Sequence, residues 1–172
     1  MRVQDWMTRD VRTCTPETSL NDAAYQMWCG DCGVLPVVSG DQTVVGVITD
    51  RDVCMAACLR GATLRDLKVG DAMSRTVFSC QAIDSIEDVI RCMADHQVRR
   101  VPVVDARGKL VGLLAANDLA RQLVGLADER TRTRLTPRFV EALASISETR
   151  TPAELPEPAT EPRAGRQPAI MR

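Results

Sequence analysis

Three groups of side chains in this chain have types and spacings that could do chemistry. The stretch GVITDRDV, residues 46–53, carries an apolar, β-branched strand directly into Thr49, Asp50, Arg51 and Asp52. At such a strand-to-helix junction Thr49 or Asp50 can cap the first free amides of a helix. A hydroxyl and a carboxylate three residues apart also make an acceptor-rich pocket suited to ribose hydroxyls. In QVRRVPVV, Arg99 and Arg100 open a strand. Adjacent guanidiniums there can fork onto phosphate oxygens, although strand alternation aims only one of them inward; otherwise both simply solvate the strand edge. Cys29-Gly-Asp-Cys32 is a CxxC at a helix end, with the spacing of a redox pair or half a zinc site, or merely two half-buried thiols. The one histidine, His96, either closes a helix as a cation near its C-terminus or approaches the CxxC from a second structural unit.

The elements that must position these groups come in two copies. A constant offset of 66 residues, which carries Val3, Asp5 and Met7 onto Val69, Asp71 and Met73, aligns the two halves without a gap. It also places PVV at 36–38 on PVV at 102–104, and Val45, Gly46 and Asp52 on Val111, Gly112 and Asp118. Each copy reads as a short strand near Val11 or Val77, then a helix capped by Ser19 or Ser85. Two strands follow, LPVV with VVGVIT and VPVV with LVGLLA, joined by the polar turns SGDQT and DARGK. A second helix starts near Asp50 and near Ala116. One copy alone buries too little to be stable, so the spacing predicts an α/β domain of two units packed about an approximate twofold axis. The units span 1–59 and 69–125, with a linker at 60–68 and a helical extension at 126–150 whose apolar side is Leu135, Phe139, Leu143 and Ile146. That side is expected to pack on a lobe or on a second chain. From Thr151 the chain carries five of its nine prolines and few large apolar residues, which predicts a disordered tail.

Bulk properties narrow the function. The net charge of -1, from 22 basic and 23 acidic residues, gives no drive toward nucleic acid or an anionic membrane, and 3% aromatics leave few platforms for stacking bases. No apolar run approaches the roughly 20 residues of a membrane span and no signal peptide is evident, so a cytoplasmic location is expected. Seven cysteines, an odd number, suggest reduced thiols, most of them small core residues. No Ser-His-Asp or Cys-His constellation, P-loop or G-x-G-x-x-G occurs, and no enzymatic activity is expected.

The repeated Asp-x-Met-(Thr/Ser), x-Pro-Val-Val and Gly-h-h-x-x-x-Asp motifs are DWMT and DAMS, LPVV and VPVV, and GVITDRD and GLLAAND. Over roughly residues 1–125 the chain resembles the CBS-domain pair, or Bateman module, in its small standalone bacterial form. The resemblance implies two β-α-β-β-α units and a regulatory module that binds an adenosine ligand such as AMP, ADP, ATP, NAD or S-adenosylmethionine between the lobes, with no cofactor required. It implies ribose contacts from Thr49 and Asp52; the second motif keeps Asp118 but has Ala115 in place of the hydroxyl. It further implies adenine contacts from backbone near Val11 and Val77, and phosphate contacts from Arg99 and Arg100, where the first unit has Gly33 and Val34. Pairing of two modules into a homodimer and a protein partner downstream are also implied. The alternatives are a ligand-free dimerisation scaffold, or a metal or redox protein using Cys29, Cys32 and His96.

Overall fold

A computed structural model describes residues 1–148; the expected disordered tail from Thr151 lies outside them. After a 3-10 turn at Val3–Asp5 the first lobe contains α1 (Leu20–Cys29), β1 (Val34–Val38), β2 (Val44–Thr49) and α2 (Asp50–Arg60). A four-residue α3 (Val69–Ala72) leads into the second lobe, formed by β3 (Cys80–Gln81), α4 (Ile86–His96), β4 (Arg100–Val104), β5 (Leu110–Ala115) and α5 (Ala116–Gly125). The last element is α6 (Glu129–Ser147). The expected caps form: the Ser19 hydroxyl accepts from Asp22 N–H at 3.0 Å and the Ser85 hydroxyl from Asp88 N–H at 3.1 Å. In both antiparallel hairpins Val34 faces Thr49 and Arg100 faces Ala115, and both register shifts fall within the PVV motif.

The lead-in strands begin later than expected. In the first repeat only Cys14 bridges β1, opposite Val37, and in the second the strand is Cys80–Gln81, parallel to β4. Val11 and Val77 lie outside the ladder. The cause is proline. Cys14 donates to Pro36 O at 3.2 Å and accepts from Val38 N–H at 2.9 Å; the next rung toward the N-terminus needs an N–H from Pro36, which has none. Pro102 breaks the second ladder in the same way.

The approximate twofold is visible in the hydrogen bonds. Val44 N–H donates to Gly108 O and Leu110 N–H to Gln42 O, both at 3.1 Å, joining the two hairpin turns by symmetry-equivalent contacts. The opening segments are exchanged between lobes. Val3 N–H donates to Asp84 O at 3.0 Å in the second lobe, and its equivalent Val69 donates to Thr18 O at 2.9 Å in the first. Val3 and Trp6 accordingly join the core of Ile86, Val89, Leu114 and Leu119, while Val69 and Met73 join that of Leu20, Val37 and Ile48. Gly46 and Gly112 make room for this crossing: a Cβ on either would stand 2.9 Å from a carbonyl of the visiting segment, that of Ser74 or Thr8.

The extension packs on its own chain. Leu135, Phe139, Ala142 and Ile146 of α6 are buried in the second-lobe core against α4 and α5, and Arg134 pairs with Glu87 at 2.6 Å. The apolar side expected to serve either a lobe or a second chain therefore serves the lobe. No helix among the described residues covers α1 and α2 in this way, and Tyr25, Trp28, Met55 and Leu59 are exposed there. The cysteine expectation is corrected: only Cys14 and Cys80 are buried, whereas Cys29, Cys54 and Cys58 are exposed and Cys32 and Cys92 half-buried. The inward stripe of α2 is Val53 and Ala56, which turns the shared face of Cys54 and Cys58 to solvent.

Candidate functional site

Thr49 and Asp52 form a capping box at the start of α2. The Thr49 hydroxyl accepts from Asp52 N–H at 3.2 Å, and the Asp52 Oδ2 takes bonds from the Thr49 amide at 2.9 Å and hydroxyl at 2.7 Å. Capping thus accounts for one carboxylate oxygen. The other, Oδ1, has no hydrogen-bond partner among the described residues. The second lobe differs where the motif differs: Ala115 offers no side-chain cap, and Asp118 accepts its amide at 3.1 Å on Oδ2. Oδ1 of Asp118 is held by the guanidinium of Arg121, one turn along α5. The residue equivalent to Arg121 in the first lobe is Met55, and no cation among the described residues engages Asp52.

An open cavity of about 380 Å³ is lined by Met27, Trp28, Asp31, Cys32, Gly33 and Asp50, among others, and neither Thr49 nor Asp52 is part of that lining. Asp50 N–H donates to Gly33 O at 3.4 Å, which ties the cavity to the end of the hairpin where Val34 faces Thr49. Arg100 crosses from the second lobe to this point. A Cβ on Gly33 would stand 2.8 Å from Asp50 Oδ2 and 3.3 Å from Arg100 Nη2. Arg99 is exposed and Arg100 half-buried, as expected from strand alternation. The half-buried Val11 and Val77 keep the Val11 carbonyl and both Val77 backbone groups free of hydrogen bonds among the described residues.

Cys29, Cys32 and His96 are not brought together. No three His, Cys, Asp or Glu side chains converge among the described residues. His96 instead ends α4 and stacks on Phe78, ring centroids 3.7 Å apart and planes within 7°. In the first lobe the equivalents, Gly30 and Arg12, also lie together: a Cβ on Gly30 would be 2.8 Å from the Arg12 side chain.

The duplicated hairpins, the exchanged lead-ins and the paired Asp sites agree with a match of the CBS domain model to residues 3–58 and 69–125. The chain belongs to the CBS-domain family. The CBS domain-containing protein YhcV of Bacillus subtilis is 39% identical over 121 residues, covering 69% of this chain and 82% of that protein. Hypoxic response protein 1 of Mycobacterium tuberculosis is 34% identical over 120 residues, covering 70% and 83%. A structure of Hypoxic Response Protein I with two coordinated zinc ions superposes with a TM-score of 0.65 at 30% identity, covering 70% of this chain and 98% of that one. The structure of CBSX2 in complex with AMP gives a TM-score of 0.63 at 29% identity, covering 72% and 96%. No helix among the described residues of this CBS pair is long and apolar enough to cross a membrane.

Local patterns pointed to Thr49, Asp52, Asp118 and the Arg pair, but not to Arg121 or to the approach of Arg100 and Asp50 to Gly33. Arg121 was readable in principle, since an Asp and an Arg three apart on a helix meet. The Arg100 crossing depends on how the CBS repeats pack, and no local pattern encodes it.

Burial separates the thiols chemically. It pushes Cys14 up to about 11 and Cys80 to about 12, so both stay neutral thiols at pH 8. Alkylation with iodoacetamide at pH 8 is expected to label Cys29, Cys54 and Cys58 of the folded protein while Cys14 and Cys80 react only after denaturation. Mass mapping that finds Cys14 or Cys80 modified at the rate of Cys54 would contradict their burial.

Proposed function

We propose that this CBS pair is a non-catalytic sensor of an adenosine-containing ligand, with its principal site in the first lobe. The observation that carries this reading is the unengaged Oδ1 of Asp52 beside the Thr49 box, set against the Arg121-held oxygen of Asp118. A ribose diol places two O–H donors that an ionised carboxylate accepts together, and such charge-assisted bonds are about twice as strong as neutral ones. Thr49 and Asp52 hold the ribose, the free backbone groups near Val11 read the adenine edge, and Arg100 reaches the tail of the ligand beside Gly33 and Val34. Asp118, Val77 and Arg99 form a second, weaker site. The complex of CBSX2 with AMP supports the adenosine class. AMP, ADP, ATP, NAD and S-adenosylmethionine are the candidates. The repeats at 1–59 and 69–125 act as one regulatory unit in the cytoplasm, without nucleic acid or membrane. The exposed α1–α2 face, with Trp28 85% and Tyr25 67% accessible, is where a second copy or a downstream protein partner docks.

Thermal-shift titration of the full chain tests the reading. A true ligand at 100 times its dissociation constant raises stability by about 2.7 kcal/mol, a shift of several degrees. A melting temperature indifferent to all five candidates would favour a ligand-free scaffold.

A further inference from the structure

We infer that Cys54 and Cys58, one turn apart on the solvent side of α2, form with Met55 a binding site for a soft monovalent metal ion, copper(I). Cysteine is among the residue types most often buried, and in this chain Cys14 and Cys80 follow that rule. Cys54 and Cys58 do not. Both are exposed, as is Met55, because Val53 and Ala56 take the inward side of the helix. The segment CMAAC therefore presents three sulfur atoms to solvent along one face. The second lobe has Ala120, Arg121 and Val124 at the equivalent positions.

Spacing decides what these sulfurs can do. Side chains four apart on a helix have Cβ atoms about 5–6 Å apart, whereas a disulfide needs about 3.5–4.5 Å, so the pair stays as thiols while α2 is intact. A metal ion bonded to both, at about 2.3 Å per metal–sulfur bond, spans the larger gap. Zinc is a poor match, since a closed zinc site takes four ligands and no three His, Cys, Asp or Glu side chains converge among the described residues. Copper(I) is satisfied by two or three soft ligands, and thiolates with a thioether select it. The three rotatable bonds of Met55 let its sulfur swing toward Cys58, three residues on. Binding is a proton exchange: two S–H bonds break, two Cu–S bonds form, both protons go to solvent, and copper stays monovalent. The resulting complex is anionic. Arg51, exposed one turn before Cys54 and in none of the ion pairs among the described residues, offsets that charge. In Cys29-Gly-Asp-Cys32, by contrast, Cys32 packs against the first-lobe core, which leaves only the Cys29 thiol outward.

Titration of the reduced full chain, without oxygen, against the coloured copper(I) complex of bicinchoninate tests the site. The native chain is expected to withdraw one equivalent of copper(I) that Cys54→Ser and Cys58→Ser each fail to withdraw and that Cys29→Ser still withdraws. Both failing substitutions fall on exposed positions, so the melting temperature without metal should not move. Met55→Leu, with both thiols intact, should keep the equivalent but hold it less tightly. Release of two protons makes the affinity rise roughly a hundredfold per pH unit where free thiols are protonated, against about tenfold for a single thiolate. Bound copper(I) should also shield Cys54 and Cys58, but not Cys29, from iodoacetamide. The inference is overturned by no withdrawal in the native chain, undiminished withdrawal in Cys54→Ser, or an affinity unchanged in Met55→Leu. A pH slope of about tenfold, shielding of Cys29 in place of Cys58, or displacement of the bound copper(I) by zinc(II) overturns it equally.

Discussion

Asp52→Asn is expected to weaken the best adenosine ligand by about 1.5–3 kcal/mol, the range for a hydrogen bond to a charged group, with little change in melting temperature. The two effects separate because the two oxygens have separate tasks. Oδ2 closes the capping box with Thr49, and an amide oxygen in its place still accepts the Thr49 N–H at the 2.9 Å seen here. Oδ1 is the atom left for the ribose, and the substitution removes the negative charge shared by both oxygens and can put an NH₂ donor where an acceptor is needed. Asp118→Asn should cost less, since Arg121 already holds the corresponding oxygen. Calorimetry on both variants is the measurement: unchanged affinity in Asp52→Asn, or a larger loss in Asp118→Asn, would move the principal site to the second lobe.

Leu135→Ala should lower the unfolding free energy by about 2–5 kcal/mol and leave the oligomer size unchanged. Leu135 is 0% exposed in α6 and sits in the same core as Val89, Met93 and Leu119. Truncation removes its transfer free energy and leaves a cavity between α4 and α6 that the sheet behind cannot collapse to fill. Gln97 and Ala94 hold Ser145 near the end of α6 through bonds of 3.1 and 3.2 Å, which limits how far the helix can shift to compensate. Urea unfolding together with light scattering reads both quantities. A loss below about 1 kcal/mol, or a change in mass, would mean that α6 seats on another copy rather than on its own second lobe.

The duplication, the hairpins with their polar turns, the Ser19 and Ser85 caps and the Thr49–Asp52 pair were legible because each is written in neighbouring residues or in the fixed offset between repeats. The late start of the lead-in strands was legible as well, had the missing amides of Pro36 and Pro102 been weighed against the β-branched run at Val11 and Val77. The expectation that most cysteines are core residues fails at Cys54 and Cys58 because residue type does not say which side of α2 faces the core, and Val53 and Ala56 take that side. Other features were beyond local reading. Which lobe receives Val3 and Trp6 depends on the pairing of segments some 80 residues apart, such as Val3 with Asp84. The convergence of Arg100, Asp50 and Gly33 arises only once that pairing has set the lobes side by side.

The crossing of the opening segments also bears on how such a chain could have arisen. A single repeat expressed by itself would keep the receiving groove for an opening segment, with Gly46 or Gly112 cleared for its passage, but its own segment would be directed away from that groove. The groove can then be filled only by another molecule. Two such molecules, each lending its first turn to the other, would reproduce the hydrogen bonds that here join Val3 to Asp84 and Val69 to Thr18. The present protein is the covalently tethered form of that reciprocal pair, and the tether frees the halves to diverge: one keeps an open carboxylate at Asp52, while the other closes Asp118 with Arg121 and shields its helices beneath α6.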